Sequence, residues 1–343
     1  MTKKNQSILI IYTGGTIGMV EDPDNNSLKP LDFKHISIEV PELKKFKHDL
    51  HCRNLDPIID SSDIKPENWI KIAELIFKSY HDFDGFVILH GTDTMAYSAS
   101  ALSFLLENLQ KPIIFTGSQL PIGLIRTDAR ENLISAIEIA STQTDKGPMA
   151  PGVSIYFENK LFQGNRTTKL SAENFNAFIS PNFPVLAESG VHLKFNQEAI
   201  QYPEVKKDLI LHTSLNQDIA IIKLFPGISD SFIKNVLNIS GLKAVILETF
   251  GSGNGPTESW FIQSLEEFIS KGGIILNVTQ CLAGRVEQGR YETSLKLRNA
   301  GVIGGSDITT EAAVTKLMFL LGQNLEKEKL IFLLKRPISG EIS

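Results

Sequence analysis

Short apolar runs, each closed by turn residues, recur along a chain of 343 residues. They cover Ile8–Tyr12, Gly85–Leu89, Pro112–Thr116 and Gly152–Tyr156, then Ile219–Leu224, Ala244–Leu247 and Ile274–Val278. Unbroken Ile, Val and Leu, rather than alternation with polar residues, is the pattern of strands covered on both faces. Helical stripes lie between them. The stretch "ENWIKIAELIFKSYHDF" sets Trp69, Ile72, Ala73 and Ile76 on one face, and "TDARENLISAIEIAS" does the same with Leu133, Ala136, Ile137 and Ala140. The stretch "GPTESWFIQSLEEFISKGG" has proline near its start and glycines at its end, the asymmetry of helix termini. Strands alternating with helices predict an α/β fold with a largely parallel sheet. In such sheets ligands bind beyond the carboxyl ends of the strands.

The passage from Pro181 to Asn216 breaks this rhythm with Pro181, Pro184, Pro203 and many polar residues. It reads as a connection between domains. The expected plan is a large N-terminal α/β domain over 1–190, a linker over 191–216 and a smaller C-terminal parallel α/β domain over 217–343. Hydrophobic residues make up 42% of the chain, enough for a substantial core. Lys and Arg number 34 against 39 acids, a net charge of −5, which gives no general electrostatic case for nucleic acid or an anionic membrane. Cys52 and Cys281 form neither a metal-type pair nor a disulfide framework, which suits a reducing compartment. The start "MTKKNQSILIIY" lacks a signal peptide's long apolar stretch. No apolar run approaches the ~20 residues of a bilayer span. The expectation is a soluble cytoplasmic protein.

Unusual loops follow three strands: "TGGT" (Thr13–Thr16), "HGTDT" (His90–Thr94) and "TGSQLP" (Thr116–Pro121). Neither "TGGTIG" nor "GSGNGP" has the dinucleotide spacing, and no P-loop lysine is present. No metal and no organic cofactor are expected. Asp93 or Thr92 suits a helix N-cap. Equally, a carboxylate beside the open N–H groups of a helix start suits a zwitterion, the acid for an ammonium and the N–H groups for a carboxylate. Asp60, Ser61, Ser62 and Asp63 have the chemistry of turns and caps. Lys169, in "GNRTTKLSAENF", is either a solvated surface group or, if buried, a base. His48 and His51, three apart, fit one polar helical face, and His90 at a strand end fits a structural role.

Together "YTGGTIG" and "HGTDT", about 75 residues apart in this order, resemble the two signatures of the L-asparaginase family. The likeness runs on through "DSSD" (Asp60–Asp63), "TGSQLP" and "GNRTTK", and then "ETFGSGNGP", "TQCLAG" and "AGVIGGSDITTEAAVTKL", which resemble the cytoplasmic, type I branch. It implies a two-domain asparaginase-like fold and close homodimers, or tetramers built from them. It implies hydrolysis of L-asparagine to L-aspartate and ammonia through an acyl-enzyme. By resemblance Thr16, not Thr13, is the nucleophile, activated by Thr92, Asp93 and Lys169, with Lys169 drawing a proton through Thr92. The glycines would bring backbone close to the amide. Asp93 would pair with the substrate ammonium, Ser61 and nearby N–H groups would hold its carboxylate, Asp60 would shape that loop, and Asn254 would contribute across a dimer interface.

Two departures matter. Many members carry a tyrosine on the loop after the first signature, and Met19 to Leu31 holds none. That loop, "EDPDNNSLKP", is expected to be a lid that orders on binding. Some type I enzymes bind asparagine at a second, activating site. The matching positions are Thr168, Glu248 and Cys281, and Glu248 stands where part of the family has arginine. An acid repels the carboxylate that an arginine attracts, which weighs against activation. For Cys281 the ordinary alternative is a small buried residue. The competing functions are a mixed glutaminase-asparaginase, the asparaginase-like subunit of a transfer-RNA amidotransferase, and a non-catalytic amino-acid sensor. The amidotransferase relative carries an extra N-terminal module, and this chain begins its first strand at Ser7. A sensor has no need of Thr16, Thr92 and Lys169 together.

Overall fold

The computed structural model describes residues 5–21, 28–30, 36, 38–145, 147–203, 205, 207–289 and 292–343. Its contacts divide the chain into two units, Met1–Thr213 and Ser214–Ser343.

In the first unit the apolar runs become β1 (Ser7–Tyr12), β3 (Gly85–Leu89), β4 (Pro112–Thr116) and β5 (Gly152–Phe157), with β2 (Asp49–Asn54) beside β1. These pair in parallel, and β6 (Lys160–Gln163), β9 (Ala187–Ser189) and β10 (Leu193–Phe195) extend the sheet antiparallel. The order is β10-β9-β6-β5-β4-β3-β1-β2. A separate pair, β7 (Thr168–Lys169) with β8 (Phe178–Ile179), carries the lysine segment. Every residue of β3 and β4 is buried, as unbroken apolar runs require. Helices α1 (Pro66–Ser79), α2 (Met95–Leu105) and α3 (Ala129–Ser141) cover the sheet and bury both expected stripes. Parallel register places Tyr12 opposite Leu89, and Leu89 opposite Thr116. Three strands therefore end side by side, and their following loops emerge together.

Strand β2, "DLHCRN", is mostly exposed at the sheet edge. It corrects the helical reading of His48 and His51: His51 lies in this strand with its ring edge-on to Phe83, and the His48 Nδ1 accepts from the Gln6 N–H. The stretch read as linker holds β10, and Ile210–Leu211 pairs with Leu106–Glu107, so the first unit continues to Thr213. Strands of two or three half-exposed residues leave no periodic trace in sequence.

The second unit is a parallel sheet of β11 (Ile219–Lys223), β12 (Ala244–Thr249), β13 (Ile274–Thr279) and β14 (Ile303–Gly304), in that order. Its helices are α4 (Asp230–Leu237), α5 (Ser259–Ser270), α6 (Glu292–Asn299), α7 (Thr310–Gly322) and α8 (Lys327–Leu334). The last residues are pinned by a wholly buried ion pair. Lys316 of α7 meets Glu341 at 2.5 Å and donates to the Leu334 and Arg336 carbonyls, while Glu341 accepts from the Ile338 and Ser339 N–H groups. Among the described residues no helix is long and apolar enough to cross a membrane.

Candidate active site

The loop after β1 turns on Gly14 and Gly15, both at positive φ (133° and 89°). Their missing side chains make room for protein rather than for ligand. A Cβ on Gly14 would strike the Ile59 carbonyl, one on Gly15 the Gly91 backbone, and one on Gly91 the Ser61 hydroxyl. Three loops from separate strands are thus held in close contact, backbone on backbone at Gly14 and Gly15 and against the Ser61 side chain at Gly91. This packing is a use of the glycines that the sequence reading, which set them beside a substrate amide, did not include. Thr13 is buried and its hydroxyl donates to the Leu89 carbonyl at 2.9 Å. Thr16 opens the following 3-10 turn, Thr16–Gly18, and is partly exposed. Beneath the turn, Tyr12 donates its hydroxyl to the Gly18 carbonyl (3.1 Å), and burial pushes its pKa up to about 12.

Across the stack, the Lys169 Nζ donates to the Thr92 Oγ1 at 2.8 Å and to the Asp93 Oδ1 at 2.6 Å. The lysine side chain is 17% exposed and the aspartate 64%, so the amine is sheltered while the acid still reaches solvent. Asp93 is not the cap of α2. That position is Thr94, which makes no side-chain cap bond and instead donates to the Ser61 carbonyl at 2.6 Å. Asp60 behaves as the turn chemistry predicts: its Oδ1 accepts from the Ser62 N–H and hydroxyl, which holds its carboxyl below the usual range. Ser61 itself is buried against Gly91.

Residues not expected at the site complete this arrangement, with His90 in the structural role its strand end suggested. Behind the second loop, the Trp69 indole donates to the Ser98 Oγ (2.9 Å), Ser98 meets the His90 Nε2 (2.9 Å), and the His90 Nδ1 meets the Gly91 carbonyl (2.7 Å). A carbonyl only accepts, so His90 is protonated at Nδ1 and accepts at Nε2. Burial drives its pKa down from 6.5 to about 4. Neutral His90 therefore contributes its stability in full above pH 6.5, and loses it as the pH falls toward 4. The shift corresponds to about 3 kcal/mol. Urea midpoints at pH 7 and pH 4.5 are expected to converge for His90→Gln relative to the unsubstituted chain; equal pH slopes would count against this account. The apolar strand around His90 could have signalled its burial, but nothing local signals the Trp69 partner.

Of the remaining expected residues, Thr168 belongs to the first unit and Asn254, Glu248 and Cys281 to the second. Thr168 is in β7, next to Lys169 and half-buried. Asn254 sits in a second-unit turn closed on Phe250, with its Oδ1 accepting from Thr293 at 2.6 Å. Glu248, in β12, accepts from the Thr310 hydroxyl at 2.6 Å and lies 3.7 Å from the Lys223 Nζ. Cys281 is exposed, against the buried alternative, because it follows the end of β13. Most of the expected lid, 21–30, falls outside the described residues.

Family models match the chain in two parts: the asparaginase N-terminal domain over residues 7–201 and the glutaminase/asparaginase C-terminal domain over residues 218–331. The chain belongs to the asparaginase family. Within that family it is 42% identical to L-asparaginase 1 of Escherichia coli over 344 residues, covering 99% of each chain. The crystal structure of L-asparaginase I from Vibrio cholerae superposes on this asparaginase fold with a TM-score of 0.90 at 38% identity, covering 99% of this chain and all of that one. The thermostable L-asparaginase from Thermococcus kodakarensis superposes with a TM-score of 0.89 at 31% identity, covering 98% of this chain and 99% of that one. The division of this asparaginase chain at Thr213 falls between the two matched regions.

Proposed function

We propose that this chain hydrolyses L-asparagine to L-aspartate and ammonia, with Thr16 as the nucleophile. The observation that carries the assignment of roles is the Lys169 amine bonded to both Thr92 and Asp93 beside the glycine-packed Thr16 loop. A threonine hydroxyl needs a base to attack an amide. The Thr16 oxygen bonds to the carboxamide carbon while its proton passes by way of Thr92 to the Lys169 nitrogen. The carbonyl π electrons move to oxygen, and backbone N–H groups such as that of Thr92 stabilise the oxyanion. In other enzymes one such donor is worth roughly 3–4 kcal/mol. Collapse breaks the C–N bond, the nitrogen takes the proton and leaves as ammonia, and a Thr16 ester remains. Water then attacks the ester and releases aspartate.

Asp93, open to solvent, receives the α-ammonium, and the Asp60–Ser61 turn receives the α-carboxylate. Asn254 contributes from a partner subunit of a homodimer, which itself pairs into a tetramer or not. We place the enzyme in the cytoplasm, with no cofactor in the reaction. Glu248, held by Thr310 and near Lys223, puts an acid at the position matched to an effector site, so no activation by asparagine is expected.

Ammonia release from L-asparagine and, separately, from L-glutamine tests this reading. The expected result is asparagine turnover well above glutamine turnover, with a hyperbolic dependence on asparagine. A sigmoidal curve would show that Glu248 does not prevent effector binding. Tight asparagine binding without ammonia release would make the chain a sensor on the same fold.

A further inference from the structure

Gln119 belongs to the loop after β4 and is half-buried. Its backbone is fixed by Asp128, whose carboxylate accepts from the Gln119 N–H at 3.0 Å and from the Leu120 N–H at 3.2 Å. Burial holds the Asp128 carboxyl above its usual range despite those bonds. The Gln119 side chain spans two loops. Its Nε2 donates to the Asn174 carbonyl at 3.0 Å, and its Oε1 accepts from the Thr92 hydroxyl at 3.3 Å. A backbone carbonyl accepts and cannot donate, so the amide nitrogen must face Asn174 and the amide oxygen must face Thr92.

Thr92 has one hydroxyl hydrogen. Lys169 donates into its oxygen from one side, and Gln119 takes its hydrogen on the other. We infer that Gln119 is a positioning residue that orients the Thr92 hydroxyl and sets the resting direction of the Thr92–Lys169 proton relay. The inference rests on the function proposed above and extends it to a residue that touches no reacting atom. At 3.3 Å the bond is long for a hydroxyl donor, so it steers the hydrogen more than it adds stability. For Lys169 to receive a proton through Thr92, the hydroxyl hydrogen must swing from Gln119 to the amine. An acceptor at position 119 opposes that swing, and a negative charge there opposes it more. Among the described residues, the charged groups bonded to the pair are Lys169 and Asp93 at Thr92 and Asp128 at the Gln119 backbone, with Glu173 next to Asn174 in sequence.

The test compares Gln119→Met, which keeps length and removes the acceptor, with Gln119→Glu, which keeps an acceptor and adds charge. The readout is kcat and KM for asparagine across pH, with melting curves. The plateau kcat is expected to fall about tenfold in Gln119→Glu, whose charge holds the hydroxyl hydrogen off the amine, and to rise in Gln119→Met, which frees the swing, with KM within about twofold in both. The ascending limb of kcat against pH is expected to move to lower pH in Gln119→Met and to higher pH in Gln119→Glu. Opposite movement is what a merely structural role does not produce. Wild-type kcat and pH profile in Gln119→Met would overturn the inference and leave the function intact. So would parallel losses in both variants without opposite shifts. No ammonia from the unsubstituted chain would overturn the proposed function and this inference with it.

Discussion

Thr16→Ala is expected to abolish ammonia release from asparagine while aspartate still binds. Loss of a nucleophile from a concerted acyl-transfer site costs on the order of 10⁴-fold or more. The fold has little reason to respond. The turn that holds Thr16 is closed by backbone bonds, Gly18 N–H to the Gly15 carbonyl and Met19 N–H to the Thr16 carbonyl, and is braced by Tyr12. The Thr16 hydroxyl caps nothing there, since the turn's N-cap is Gly15. Thr13 is the instructive contrast: its hydroxyl is spent on the Leu89 carbonyl in a buried setting, where it joins β1 to β3. Calorimetric titration with aspartate, beside an ammonia assay, separates the outcomes. Turnover lost with binding kept supports the assignment. Binding and turnover lost together, in a chain that melts normally, would move the nucleophile elsewhere.

Lys316→Met is expected to be the costliest single change to stability. Both members of the Lys316–Glu341 pair are wholly buried. Burial lowers the Lys316 pKa and the Glu341 carboxylate raises it again, the desolvation being the larger influence. Removing only the lysine strands a carboxylate in the interior, and breaking such a pair costs roughly 3–5 kcal/mol. Replacing both partners with apolar residues of similar volume is often close to neutral. Lys316→Met with Glu341→Leu should therefore regain most of the stability that Lys316→Met loses. The two variants, unfolded in urea beside the parent, decide this. A double variant no more stable than the single one would mean that the tail is held mainly by its other bonds, such as that from the Ser343 N–H to Asp307.

The parallel strands were legible because their apolar runs are unbroken, and β3 and β4 follow the expected limits residue for residue. Strand β2 was not, because an exposed edge strand such as "DLHCRN" carries polar residues that fit a helix face or a turn equally well. The tail of the first unit was missed for a related reason: its strands are two or three residues long, and Ile210–Leu211 draws its pairing from Leu106–Glu107, far away in sequence. At the candidate site, Asp60 was readable as a cap because that bond is local, two residues on. The Lys169–Thr92 contact joins residues 77 apart, and no periodicity encodes it. Residue chemistry left that lysine open between a surface group and a base, and only the likeness of whole motifs to a family gave it a role. Gln119 and His90 lay in quoted segments, but their partners Asn174 and Ser98 are set by tertiary packing.

The stacked glycines also act as a gauge. Ser61 abuts Gly91, Gly91 abuts Gly15, and Gly15 is bonded to Thr16. Between the turn proposed to grip a carboxylate and the residue proposed to attack an amide stand a close backbone contact, Gly15 on Gly91, and one buried side chain, that of Ser61 against Gly91. Such a span neither stretches nor yields easily. A substrate longer by one methylene must bend to fit it, and a single methylene in a pocket is worth roughly 1–3 kcal/mol of discrimination. Length would then be sensed by the spacing of three loops rather than by any residue that touches the extra carbon.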